Sequence, residues 1–354
     1  MFRSSAELLY DKLSGIACLY KPADMQMQHF CIIIQERLAS VFNQLSCREP
    51  MHRVDIKRDY QTGKEIVVTS VDLSDTVQAL GPRYQPEDFD IQTIFPLESF
   101  SSGLQIVSIN DESKRLEQIK DGQPLRCYHI QGKMGESTDT LDANGVVVEK
   151  STYKHVSRSK IERVCALIQS SFQTSMYKMS GISPFTQTGF ELAKGGLWKP
   201  RDHTLPPIVY GLKLLNFKAP FFDIEMHVIN EKEIHLKEVI LDIGIRLRTS
   251  TLSESVRRSK IGPLNIQHSL VIDEITPDNL IDNIDTIETI IEKSNLLDKT
   301  ILVNKTHKDE TKLLGKQLDE STVDLYKTKR LINYDRQTYT EEEEEEEENE
   351  NIRR

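Results

Sequence analysis

FFDIEMHVINEKEIHLKEVILDIGIRLR, residues 221–248, holds side by side the two periodicities that decide the fold. Phe222, Ile224, Met226 and Val228 alternate with polar residues, the period-two pattern of a strand buried on one face. Leu236, Val239, Ile240, Ile243 and Leu247 then recur at helical spacing across 233–248 and give that helix one apolar stripe. Working outward, residues 208–217 form a second strand candidate, separated from the first by Lys218-Ala219-Pro220. A helix near 277–297 follows, with Pro277 in its first turn and Leu280, Ile284, Ile287 and Ile291 as its stripe. Upstream, Ile161, Val164, Cys165 and Ile168 mark a helix over 157–172, and Phe30, Ile33, Ile34, Leu38, Val41, Phe42 and Leu45 one over 29–45. Short apolar runs at 14–22 (stopped by Pro22), 66–71, 104–109 and 126–131 read as strands. Residues 46–64 read as an irregular insertion or hairpin, 80–96 as a proline-containing loop, and 132–145 as turn-rich and poor in strand. Strands and helices are intermixed without regular βαβ alternation. The expected fold is therefore α+β, with a mixed or antiparallel central sheet flanked by helices.

The chain has 354 residues, enough for one large domain or two modest ones. The expected division is an N-terminal segment 1–13, a domain over 14–297 and a tail over 298–354. Its 38% hydrophobic and 28% charged residues exclude collagen-like and wholly disordered chains. The longest apolar runs, such as Phe30–Ile34, are far too short for a membrane helix. Net charge is −10, and eight consecutive Glu at 341–348 account for most of it. Like charges at that density repel and bury nothing, so disorder is expected there. Cys18, Cys31, Cys47, Cys127 and Cys165 form no CxxC pair and have no histidine spacing suited to zinc. They read as reduced core thiols and point away from the secretory path.

Generic signatures are missing. There is no GxGxxG, HExxH, GxSxG or EF-hand loop; Gly63-Lys64 and Gly132-Lys133 would need glycine at 58 and 127, which are Arg58 and Cys127. Nucleotide-dependent and zinc hydrolase chemistry lose their usual marks.

Several segments in order resemble one family instead. Leu19-Tyr20-Lys21-Pro22-Ala23 resembles a Lys-Pro strand end. Residues 94–107 occupy the place of a Gly-His-x-Leu-Asp-x-x-Ala-Ser-Gly-Val-Leu loop, with Leu97, Ser102, Gly103 and Leu104 matching and Glu98 at the aspartate position. Arg126–His129 resembles a Lys-x-Tyr strand. Residues 135–145 resemble the turn Gly-x-x-Thr-Asp-Thr-x-Asp-x-x-Gly, residues 186–196 an Ala-Tyr-Glu-Leu-Ala-Arg-x-Gly segment, and 234–244 a Tyr-Ile-Arg helix in which arginine is replaced by Lys237. Val256, Arg257 and Arg258 match a following Leu-Arg-Arg. Over about residues 14–275 the chain thus resembles the TruB-type pseudouridine synthases, and among them the mitochondrial TruB-like branch.

The resemblance implies a pseudouridine synthase catalytic fold with an active-site cleft. It implies that a uridine is flipped out of RNA and attacked by a carboxylate at the sugar or the base, after which the uracil rotates and a C–C bond forms. Glu98, Tyr128 and Lys237 would be catalytic, and Val256, Arg257 and Arg258 would bind substrate. No metal or organic cofactor is implied. The implied partner is mitochondrial mRNA or rRNA, in the matrix, met by a monomer without a membrane and alongside RNA-processing or ribosome-assembly proteins. Met1–Ser5 has the Arg and Ser use of a transit peptide, from which Glu7 and Asp11 depart. Glu98 carries the charge one methylene further than aspartate, and Lys237 lacks the planar fork of arginine. A catalytically silent RNA-binding or ribosome-assembly factor is the alternative, and an unrelated α+β scaffold a third reading. Taken singly, Glu98 is equally a surface carboxylate, Tyr128 a core aromatic, Lys237 a solvated helix residue, Asp139 and Asp142 turn formers, and Arg257 and Arg258 solvated charges that would also serve as phosphate contacts.

Overall fold

The computed structural model describes residues 5–58, 64–110, 114–190 and 206–294. The chain divides into two compact units. One comprises residues 1–173 and 199–299, the other 174–198 and 300–354. Of the second, only 174–190 are described: the end of a long helix and a turn in which the Thr186 hydroxyl donates to the Ser183 carbonyl at 2.7 Å. The poly-Glu tail and residues 1–4 and 191–196 lie outside the described residues.

The first unit is built on an eight-stranded mixed sheet, ordered β1-β5-β11-β6-β10-β9, with β4 also on β5 and β12 on β11. These strands are β1 (Gly15–Lys21), β4 (Ile91–Ile94), β5 (Ser102–Ile109), β6 (Arg126–Met134), β9 (Ile208–Lys218), β10 (Phe221–Ile229), β11 (Thr251–Ile261) and β12 (Leu264–Asn265). The helices are α1 (Ser5–Lys12), α2 (Met27–Gln44), α3 (Val77–Leu80), α4 (Lys114–Asp121), α5 (Arg158–Ser180), α6 (Glu233–Leu247) and α7 (Pro277–Lys293). Two small hairpins, β2 (His52–Arg58) with β3 (Glu65–Val71) and β7 (Glu136–Thr138) with β8 (Val147–Lys150), complete it. No helix among the described residues is long and apolar enough to cross a membrane.

The two halves of the sheet are packed differently, and their sequences show it. β10 buries Phe222, Ile224, Met226 and Val228 on one face, against Ile161 and Ile168 of α5 and Leu236, Ile240 and Ile243 of α6. Each such side chain contributes roughly 1.5–3 kcal/mol when fully buried. β1 and β5 are covered on both faces: Ala17, Leu19, Val107 and Ile109 join one core cluster with α1, α2 and α7, while Ile16, Cys18, Leu104 and Ile106 join another with α4 and α7. Alternation at 221–229 and the unbroken apolar run at 15–19 follow from that difference.

One edge of β5 changes partner part-way along. β1 pairs with Gly103–Ile109 on one side. On the other, β4 pairs with Ile106–Ile109 and β11 with Ser102–Gly103, in parallel. The connection 95–101 leaves the sheet at this exchange. Gly103, at φ +117°, permits the junction, because a Cβ there would run into the Arg258 carbonyl oxygen.

Several expectations are corrected. Residues 80–96 contain β4, whose four residues pair only with the end of β5. Residues 132–145 contain the end of β6 and all of β7. The 157–172 helix runs on to Ser180, and α1, α4 and β11 appear where no element was read.

Candidate active site

Connection 95–101 presents Glu98 to solvent, and it is fixed on both sides of that residue. Arg258, 1% exposed, donates to the Phe95 carbonyl at 2.7 Å, the Leu104 carbonyl at 2.8 Å and Gln105 Oε1 at 2.8 Å. Gln105 Oε1 also accepts from the Leu97 amide at 3.3 Å. Beyond Glu98, the buried Lys21 ammonium donates to the Ser99 carbonyl at 3.3 Å and the Ser101 carbonyl at 2.8 Å. Glu233 Oε2 accepts from the Ser101 amide at 3.1 Å and its hydroxyl at 2.5 Å. Burying ionic groups is costly unless they are fully partnered. Here several buried groups spend their partners on one short connection.

Glu233 is also the link to Lys237, one turn along α6. The Lys237 ammonium lies 2.7 Å from Glu233 Oε1, 2.7 Å from Asp142 Oδ2 and 4.8 Å from the centre of the Phe100 ring. Burial works against its charge, but the bonds to Asp142 and Glu233 outweigh burial and raise its pKa. Burial likewise opposes ionisation of Asp142, and its bonds to Lys237 and Thr140 win and lower its pKa. Asp142 is thus both a turn former, accepting from the Asn144 amide at 3.0 Å, and the counter-ion that ties the 138–146 turn to α6.

Tyr128 is 3% exposed and shares a core cluster with Leu97 and Val256, packed against by Phe100. Its hydroxyl donates to Glu231 Oε1 at 2.7 Å, and burial followed by the Glu231 charge pushes its pKa up. Glu231 also takes both arms of the Arg126 guanidinium, which lies 4.2 Å from the centre of the Phe95 ring. His235 lies close enough for the charges of Glu231 and Glu98 to act on it. Burial lowers its pKa while charges including Glu98 oppose that, and its Nδ1 accepts from the Lys232 amide at 3.0 Å.

The residues singled out in the sequence fall into three groups. Glu98, Tyr128 and Lys237 all border connection 95–101, but their polar atoms do not meet: Lys237 is bonded to Asp142 and Glu233, and Tyr128 to Glu231. Val256 lies under the connection in the same apolar cluster as Tyr128. Arg257 is exposed, its guanidinium 5.6 Å from the centre of the Tyr20 ring. Arg258 corrects the expectation of a substrate contact, since its guanidinium is spent inside the protein on the frame of the Glu98 connection. Lys21, Gln105, Glu231 and Glu233 were not read as site residues. Glu233 and Lys237 had a signal in their i,i+4 spacing, and Lys21 in its place before Pro22; Gln105 and Glu231 had none.

The matches to known proteins fall on this architecture. The model of the TruB family pseudouridylate synthase N-terminal domain matches residues 96–234, from the start of the Glu98 connection to the first turn of α6. The mitochondrial pseudouridylate synthase TRUB2 of Xenopus tropicalis is 29% identical over 74% of this chain and 82% of its own length. TRUB2 of Homo sapiens is 26% identical over 73% of this chain and 80% of its own length. Over these residues the chain is similar to the TruB family of pseudouridylate synthases. An archaeal box H/ACA sRNP Nop10–Cbf5 complex is 14% identical, covering 81% of this chain and 60% of that chain, at a TM-score of 0.40. The TruB-family match holds Glu98, Tyr128, Asp142 and Glu233, whereas Lys237, Val256, Arg257 and Arg258 lie beyond it.

Proposed function

We propose that this protein converts uridine to pseudouridine in RNA, with Glu98 as the attacking carboxylate. One observation carries the assignment of Glu98: an exposed carboxylate stands on a connection whose carbonyls and amides are tied down on both sides by the otherwise buried Lys21, Gln105, Glu233 and Arg258. A solvated loop needs no such frame, whereas a nucleophile that must meet a reacting carbon does. Near-attack geometry tolerates displacements of only a fraction of about 1 Å.

The target base leaves the stack, because its reacting atoms are out of reach within it. Glu98 attacks the sugar or the base, the C1′–N1 glycosidic bond breaks, the uracil turns, C5 bonds to C1′ and the carboxylate is released, while C5 loses its proton to solvent and N1 takes one up. Tyr128, Val256 and Leu97 form the apolar floor beneath the connection. Lys237 acts through Glu233, holding Ser101 and hence the reach of the carboxylate. The longer acid at 98 accords with a lysine set back from it and engaged elsewhere. Arg257, opposite His129 in the sheet register, lies on the face away from Tyr128, so its exposed guanidinium beside Tyr20 is available to the RNA backbone but not to the flipped base. The substrates are mitochondrial mRNA or rRNA and the site of action the matrix, in keeping with the mitochondrial relatives. The protein acts as a monomer through a domain spanning 14–297, alongside RNA-processing or ribosome-assembly proteins. Nothing favours the catalytically silent alternative over this one.

The test is to incubate the purified chain with mitochondrial RNA and map pseudouridine. Glu98→Ala is expected to lower modification by at least ~10³-fold, the scale of losing a nucleophile, with unchanged thermal stability because the side chain is exposed. Equal modification by wild type and Glu98→Ala overturns the role given to Glu98. Absence of modification by wild type on every mitochondrial RNA overturns the activity.

A further inference from the structure

On the far side of the sheet from Tyr128, two strands bring together a second set of reactive side chains. Cys127 and His129 are two apart on β6, and Glu225 and His227 two apart on β10, so each pair points to one face. The antiparallel register sets His129 opposite Glu225 and Cys127 opposite His227. Tyr128, Ile130 and Met226 between them face the core, so all four lie on the outer face.

We propose that Cys127, Glu225 and His227 bind one divalent d-block ion of the zinc class, with His129 beside them as the fourth donor once its side chain turns inward. Donor atoms of Cys127, Glu225 and His227 all lie within 4.8 Å of one another. His227 Nε2 is 2.6 Å from Glu225 Oε1, Cys127 Sγ 3.7 Å from the same oxygen, and His129 Nε2 4.0 Å from Glu225 Oε2. Bonds of about 2.0–2.3 Å to a tetrahedral ion put neighbouring donors ~3.5 Å apart, and these separations straddle that spacing. A thiolate, two imidazoles and a carboxylate suit zinc or copper, not magnesium or calcium. One thiolate and one carboxylate also cancel a divalent charge, which matters because Lys213, Arg257 and Lys260 stand opposite Glu225, His129 and Cys127 on the flanking strands. The thiol releases its proton to solvent as the ion binds, and the His227–Glu225 hydrogen bond gives way to two metal bonds. Imidazoles 49% and 39% exposed, at His129 and His227, leave an open path to solvent. Ligands separated by about a hundred residues show no CxxC or HxxxH spacing, so the sequence alone conceals the site.

Cobalt(II) titration of the purified, chelator-treated full chain tests this. One Co²⁺ per chain is expected, with a thiolate-to-cobalt charge-transfer band that Zn²⁺ bleaches. Cys127→Ser should abolish the band, and His227→Gln should weaken binding at least ~10-fold, the scale of a lost metal interaction. Cys31→Ser, on α2, should change neither. His227→Gln alters a half-exposed side chain and carries the test if Cys127→Ser does not fold. No thiolate band in wild type, a band that survives Cys127→Ser, or unchanged affinity in His227→Gln overturns the site.

Discussion

Connection 95–101 and the β2–β3 hairpin are built in opposite ways. The first exposes a charge and is tied down by buried ionic groups. The second exposes apolar side chains and has little holding them: Val54, Ile56 and Val67 are 60%, 69% and 68% exposed on one face of a two-stranded ribbon. Its fastening is at the base, where Asp75 accepts from Arg48, Arg83 and the Met51 amide. Burial of lysine, arginine and glutamate is a poor way to gain stability. The molecule accepts it around the connection that carries Glu98 and omits it from the ribbon. On the role proposed for Glu98, order is concentrated where geometry would have a chemical use.

The strongest challenge to that contrast is Lys237→Met. It strands Asp142 and Glu233 without their cation and should cost about 3–5 kcal/mol, the scale of breaking a buried ion pair, read by urea denaturation. A loss under about 1 kcal/mol would show that the cluster is not a strut. Arg258→Met comes next. It takes the guanidinium away from two carbonyls, at about 1–3 kcal/mol each, and leaves Gln105 Oε1 with the Leu97 amide alone. Displacing the connection by ~1 Å should lower turnover ~10²-fold. Full turnover in that variant would mean the frame does not position Glu98.

A pH profile sharpens the contrast further. Burial holds the Lys21 pKa down to about 8 against the pull of Glu233 and Asp24. Folded chains release this proton near pH 8 while unfolded ones keep it to its ordinary value of 10.5. Between those values the unfolded chain binds more protons, so this group adds to global stability as pH rises. Its bonds to Ser99 and Ser101 lose their charge assistance over the same range. Turnover should therefore fall through about pH 8 with no matching fall in Tm from this group, and Lys21→Arg should remove the inflection. A wild-type profile flat through pH 8 would break the link. The smallest effect belongs to the ribbon: Ile56→Thr and Val67→Thr should each shift stability by under about 0.5 kcal/mol, as exposed substitutions do, and leave modification unchanged.

Where a side chain's environment repeats along the chain, it could be read in advance. Alternation at 222–228 and the stripe at 236–247 gave way to β10 and α6 almost residue for residue. β11 could not be found this way. Thr251–Ile261 is largely polar, yet it lies centrally in the sheet with Ser253, Arg258 and Ser259 buried. Those groups are settled by partners that no local pattern announces. The same holds at the site. Glu233 sits four residues from Lys237 and was within reach of helical spacing, whereas Asp142 lies 95 residues away and looked like an ordinary turn former. The family motifs marked position 98, but only the folded chain shows what fastens it.

The longest of those fastenings bears on biosynthesis. Arg258 grips the Phe95 carbonyl across a separation of 163 residues. On a translating ribosome the 95–101 segment emerges first and waits, unbolted, while β6, α5, β9, β10 and α6 are made. A nascent polypeptide that has not yet made β11 carries Glu98 without its clamp, and the connection takes up its final geometry only when that late strand is synthesised.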